Sequence, residues 1–121
     1  RDVKGNRNMT IKELYKKDPV GITAMCLIKS RACKQLESAI LTAKVYMYIY
    51  EKNETVQYIG ITGSFVTPVD IAKHFSITRA QAKYATYRLR GVCAVDFVYG
   101  KYIAPYYKVI DPEKFIERFE D

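Results

Sequence analysis

Apolar residues change their spacing along this chain, and each change predicts a different element. Residues 1–9 show no apolar period and read as a flexible basic arm that runs into a short helix from about Thr10 to Lys17. Asp18-Pro19 and Gly21 then break the chain. From about Thr23 to Lys52 the spacing is mostly helical. Leu36, Ile40, Ala43, Met47 and Tyr50 recur at steps of three or four and fall on one face. The end of this stretch is double-valued. "VYMYIYEKNETVQYIGITG" also alternates, with β-branched and aromatic residues and a turn-like "KNE", which suits a β-hairpin. The reading adopted is helix to about Tyr50, then a strand or extended segment through "TVQYIGI".

From Thr67 the local signals sharpen. Thr67 is a good N-cap, Pro68 suits the first helical position, and Asp70 complements the helix dipole. Val69, Ile71, Ala72 and Phe75 give this short helix an apolar side. "SIT" is the turn, with Ile77 as a buried plug, and Thr78 caps a second helix from Arg79 to about Arg90. On it Ala82, Ala85 and Leu89 share one face. Gln81, Lys83, Tyr84, Tyr87 and Arg88 lie on the other, and Gly91 stands where a helix often stops. Val92, Ala94, Phe97 and Val98 are strand-like. Tyr99-Gly100-Lys101-Tyr102 reads as a turn, and Ile103 to Val109 as a returning edge strand that tolerates Pro105. Asp111-Pro112 opens a terminal helix with Phe115, Ile116 and Phe119 on its apolar side.

Composition narrows the function classes. A chain of 121 residues is one domain by default and can bury a core without staples. No apolar run reaches the roughly 18 to 20 residues of a membrane span, and the charged amino end is no signal peptide. Cys26, Cys33 and Cys93 show no metal or redox spacing, so they read as buried free thiols in an intracellular protein. His74 is alone, and no cofactor or metal is expected. The net charge is +7 and uneven: residues 64–108 carry seven Lys or Arg against two acids, and residues 109–121 carry two against five. A basic excess favours nucleic acid or another anionic surface as partner. There is no phosphate-binding loop, nucleophile elbow or carboxylate cluster, so a binding module is expected rather than an enzyme.

The order helix, short strand, helix, turn, helix, hairpin resembles the winged helix-turn-helix domain of transcription regulators over about residues 36–109. "FVTPVDIAKHFSITRAQAKYATYRLRG" looks like that family's supporting helix, turn and recognition helix. The resemblance implies an α+β, mainly α fold with additional N-terminal helices (residues 22–52), a helix-turn-helix plus wing (64–109) and a short C-terminal helix (111–121). It implies a double-stranded DNA-binding protein, a transcriptional regulator, with helix 79–90 in the major groove. Arg79, Gln81, Lys83 and Tyr84 would contact bases, since Arg pairs with guanine and Gln with adenine through two hydrogen bonds. Lys73, Ser76, Thr78, Tyr87, Arg88 and Arg90 would contact the backbone, joined by Tyr99, Lys101 and Tyr102 from the wing at 97–104. The apolar stretches "AMCLI" and "SAILTAKVYMYIY" are candidates for a homodimer interface.

Two alternatives remain. The same fold can serve as an RNA-binding module or as a protein-interaction or assembly module. More remotely, "KVY" at 44–46 and "YIG" at 58–60 resemble the paired motif of GIY-YIG nucleases, which would make Tyr58 catalytic and the chain metal-dependent. Lys44 stands where that motif has its first glycine, and Pro68 near where the family has its arginine.

Overall fold

The computed structural model describes residues 9–120. The arm expected over residues 1–9 lies outside these residues except for Met9. Helix α1 (Ile11–Lys17) begins at a reciprocal cap: the Thr10 side chain accepts from Glu13 N, and Thr10 N donates to Glu13 Oε1 at 3.0 Å. The break expected at Asp18-Pro19 is a joint between two helices. Asp18 caps helix α2 (Pro19–Lys29), its Oδ1 accepting from Gly21 N at 3.0 Å. A Cβ on Gly21 would lie 2.1 Å from the Asp18 carboxylate, so glycine here makes room for the cap and does not break the helix.

α2 ends at Arg31, which takes the left-handed conformation (φ 68°) and lets Ala32 N donate to Leu27 O at 3.0 Å. The chain reverses over the buried Cys33 into helix α3 (Leu36–Glu51). α3 is the centre of the fold, packed by α2 and by the later helices and sheet. Its buried residues are Ala39, Thr42, Ala43, Val45, Tyr46 and Ile49. The apolar face expected at Leu36, Ile40, Ala43, Met47 and Tyr50 is therefore one flank of the true face. Leu36 is 57% exposed and Tyr50 37%. A helix covered from several sides buries a wide band, and the regular three-four stripe picks out only its edge.

Strands β1 (Asn53–Val56) and β2 (Ile61–Ser64) follow as an antiparallel hairpin. The helix ends at Glu51, within one residue of the expected Tyr50, and the extended segment after it is folded into a hairpin. Its turn falls at Gln57–Gly60 rather than at "KNE", with Gly60 at φ 65°. Helices α4 (Pro68–Phe75) and α5 (Arg79–Gly91) lead to strands β3 (Val95–Val98) and β4 (Tyr106–Val109). The second hairpin starts later than expected because Val92–Ala94 is spent on ending α5. Helix α6 (Pro112–Glu117) closes the chain, capped by Asp111.

The four short strands form one antiparallel sheet in the order β1-β2-β4-β3. The two hairpins join where Ser64 of β2 pairs with Tyr107 of β4. Gly63 lies under the Tyr106 ring so closely that a Cβ would meet Cδ2 at 2.3 Å. One apolar cluster connects the helices to the sheet, from Ile11 to Phe119. Tyr46 crosses it, its hydroxyl donating to Ile110 O at 2.6 Å and its ring edge-on to Phe115 at 5.7 Å. Burial pushes that hydroxyl well above the usual tyrosine range. Lys12 and Glu117 pair α1 with α6. The architecture is thus α+β and mainly helical with a small antiparallel sheet. Among the described residues no helix is long and apolar enough to cross a membrane.

Candidate nucleic-acid interface

The site is built on α4 and α5. Thr67 N donates to Asp70 Oδ2 at 2.9 Å, and Asp70 N donates back to Thr67 Oγ1 at 3.2 Å. α4 ends with Ser76 in the left-handed conformation (φ 55°), and Ile77 N donates to Ala72 O at 3.0 Å. This sharp stop aims the chain into α5. Thr78 repeats the cap: Gln81 N donates to Thr78 Oγ1 at 3.1 Å, and Thr78 N donates to Gln81 Oε1 at 2.9 Å.

That second cap changes two expected roles. The Gln81 carbonyl oxygen is held by Thr78, so in this conformation its amide group alone is free toward a base edge. A two-bond adenine contact requires the cap to open. The Thr78 hydroxyl and backbone N–H are likewise engaged, which leaves the N–H groups of Arg79 and Ala80 as the open donors of the first turn.

α5 buries Ala82, Ala85, Thr86 and Leu89 and exposes the rest of its surface, apart from the half-buried Arg88. Small alanines let α5 approach α3 and α4 closely. Opposite them, Ala80, Tyr84, Tyr87 and Gly91 recur at helical spacing and stand outermost, Tyr84 60% and Tyr87 54% exposed. Arg79, Lys83 and Arg90 form one flank of this ridge. Gln81 and Arg88 form the other, and with Tyr84 they line a cleft of about 500 Å³ whose far wall is α3, including Leu41 and Lys44. The expected base and backbone contacts on α5 therefore divide between an open ridge and a walled cleft. Ala80 and Lys44 were missed by the sequence reading. Ala80 carries no chemistry that would mark it, and Lys44 belongs to a helix distant in sequence.

α5 runs through Gly91, about where the sequence places its end, and the left-handed residue that closes it is Cys93 rather than the glycine. Cys93 has φ 58°, its N–H donates to Arg90 O at 3.0 Å, and Ala94 N donates to Leu89 O at 2.9 Å. Gly91 has ordinary helical geometry with nothing near a would-be Cβ. Cys93 is exposed, so of the three thiols only Cys26 and Cys33 are buried as expected. Arg118 Nη1 donates to Val92 O at 2.7 Å and ties the end of α5 to the C-terminal segment.

Arg90 links α5 to β3, 5.9 Å from the Tyr87 ring centre and 5.8 Å from that of Phe97. The loop Tyr99–Pro105 between β3 and β4 lies against the turn of the β1–β2 hairpin. At the loop's tip Lys101 sits 5.6 Å over the Tyr102 ring, and Tyr99 and Tyr102 are largely exposed. Gly100 is required there, since a Cβ would lie 2.8 Å from Ile103 O. Lys73 is exposed on α4. The lone His74 is used in packing, its ring stacked on Tyr48 at 4.2 Å.

One expected arrangement is corrected. The nuclease motif needs both tyrosines presented by one hairpin. Tyr46 instead lies inside α3, sealed in the core, and Tyr58 sits on a turn of the β1–β2 hairpin. Among the described residues no group of His, Cys, Asp or Glu is placed to hold a metal ion. In the stretch "SAILTAKVYMYIY" Ala39, Ala43, Val45, Tyr46 and Ile49 are buried in the core, Ile40, Leu41, Met47 and Tyr48 are half-buried and Tyr50 is exposed. In "AMCLI" Ala24, Cys26 and Leu27 are buried and Met25 is exposed.

No family model, curated protein or solved structure matches the chain.

Proposed function

We propose that this chain is a double-stranded DNA-binding protein of the winged helix-turn-helix kind, acting as a transcriptional regulator. α5 enters the major groove with its Ala80–Tyr84–Tyr87 ridge leading. Arg79 and Lys83 reach base edges, with the Gln81 amide as a further donor. Arg88, Arg90 and Lys73 neutralise phosphates, and Lys101 does so from the wing loop Tyr99–Pro105.

The observation that carries this reading is the charge on α4 and α5. Between Asp70 and Asp96 the chain holds five Lys or Arg and no carboxylate. Arg79, Lys83 and Arg90 lie on one exposed flank of α5, Arg88 at the cleft whose α3 wall carries Glu37 and Lys44, and Lys73 is exposed on α4. A face that served only for solubility would mix both signs, whereas a single-sign face attracts a polyanion. The order α3, β2, α4, α5, β3, β4, with β3 packed directly on α5, also supports the reading.

The test is fluorescence anisotropy on random duplex DNA, single-stranded DNA and duplex RNA at low salt. Tightest binding to duplex DNA is expected, tighter than the dissociation constant of about 10⁻⁴ to 10⁻⁶ M usual for non-specific binding at physiological salt. Arg79→Ala combined with Lys83→Ala should weaken it at least about tenfold, since each good base contact is worth about 1–3 kcal/mol. Equal affinity of that variant refutes the placement of α5, and preference for duplex RNA refutes the DNA assignment.

A further inference from the structure

The β1–β2 hairpin has no task in DNA binding through α5, yet its turn is one of the most exposed apolar features of the chain. Tyr58, on that turn, is 89% exposed, and Tyr102, on the loop of the other hairpin, is 92% exposed. Both line one cleft of about 320 Å³ between the two hairpins. Its floor is apolar, formed mainly by Ile61, Ile103 and Tyr106, and Lys101 is the one charged residue lining it.

Three properties of this cleft limit its occupant. It is small, near the lower end of the about 300–1,000 Å³ typical of ligand sites, which fits a single planar group with a sugar and excludes a base pair in a stack. It offers aromatic faces from two separate elements, so a planar group can be covered by one or both rings. It lies in segments free of negative charge: residues 57–69 and 97–110 contain Lys101 and Lys108 and no carboxylate. A planar apolar group attached to an anion satisfies all three, and Lys101, already over the Tyr102 ring, stands where that anion would fall. The loop that carries Lys101 and Tyr102 is also the wing of the proposed DNA complex, so a strand held there is already within reach of the cleft.

We propose that the cleft between the two hairpins takes one unpaired base of a DNA strand, stacked on Tyr58 and Tyr102, with its phosphate on Lys101. The inference rests on the DNA-binding reading and adds a preference for duplex with a locally unpaired nucleotide. Stacking on an aromatic side chain strengthens binding by about tenfold per base.

The experiment uses two duplexes of the same sequence, one fully paired and one with a single bulged 2-aminopurine. The full chain should bind the bulged duplex about tenfold more tightly and quench the probe's emission. Tyr58→Ala should reduce that advantage and restore emission while leaving affinity for the paired duplex within about twofold, and Tyr102→Ala should weaken binding of the bulged duplex more than that of the paired one. Tyr58→Phe and Tyr102→Phe keep a stacking face and should retain the advantage. Both tyrosines are exposed, so these variants should fold, and circular dichroism checks that they do. Binding of both duplexes with equal affinity and unchanged emission overturns this inference alone. Failure to bind either duplex overturns the DNA-binding reading, and this inference with it.

Discussion

Helices α3 and α5 are the two long helices that face each other across the core, and they use their residues in opposite ways. α3 buries Ala39, Thr42, Ala43, Val45, Tyr46 and Ile49. α5 buries only small or aliphatic residues along one stripe, Ala82, Ala85, Thr86 and Leu89. The rest of α5 carries Arg79, Lys83, Arg88 and Arg90 with Tyr84 and Tyr87, and no acid. One helix is surrounded and structural. The other is held from behind and presents a basic, aromatic face. Where a helix leaves its cations and tyrosines uncovered by the fold, the partner they suit is outside the fold.

The contrast predicts that substitutions on the two helices separate stability from binding. The largest stability effect belongs to α3. Ile49 is fully buried, and Ile49→Ala should destabilise by about 2–5 kcal/mol, read as a shift in the denaturant midpoint. The DNA affinity of the remaining folded protein should not change. A loss of affinity per folded molecule would mean that α3 shapes the interface directly.

A smaller effect lies at the joint of α4 and α5. Thr78→Ala removes the cap and should lower stability by about 1 kcal/mol. It also frees the Gln81 side chain. If Gln81 reads adenine only when the cap opens, this variant should keep or gain affinity for its selected site despite its lower stability. A parallel loss of both would mean that the cap itself sets the angle of α5.

The smallest effect is a gain. Cys93 is in the left-handed conformation, which is unfavourable for a residue with a Cβ by about 1–2 kcal/mol. Glycine removes that strain but gives up about 0.5–1 kcal/mol of unfolded-chain entropy. Cys93→Gly should therefore raise stability by about 0.5–1 kcal/mol, seen in thermal unfolding, with DNA binding untouched. A loss of stability would show that the thiol makes a contact the backbone argument omits.

The parts of this molecule legible in its sequence are those fixed by near neighbours. Thr67, Pro68, Asp70 and Thr78 announce their helix starts because a cap needs partners only three residues away. The Arg/Lys/Tyr face of α5 was legible for the same reason, since a helical period is a local property. Three features were not. The buried band of α3 depends on α2, α5 and the sheet closing round it. The joining of the two hairpins rests on the pairing of Ser64 with Tyr107, forty-three residues on. The left-handed residues that close the helices are Arg31, Ser76 and Cys93, where no glycine marks them, and Gly91, at the end of α5, keeps ordinary helical geometry. Within the site, Gln81 read as a base contact from its type alone, and its second role as a cap appears only with the Thr78 geometry.

The account stands on α5 as the DNA-binding face, and the salt dependence of duplex DNA binding tests it most directly. The affinity of the chain and of the variant carrying Arg88→Ala and Arg90→Ala would be measured across a salt series. Each phosphate contact adds about 0.9 to the slope of log affinity against log salt concentration. The account predicts a clear slope for the chain and one smaller by about 1.8 for the variant, with both proteins equally folded. The same slope for both, or no binding at low salt, would contradict it.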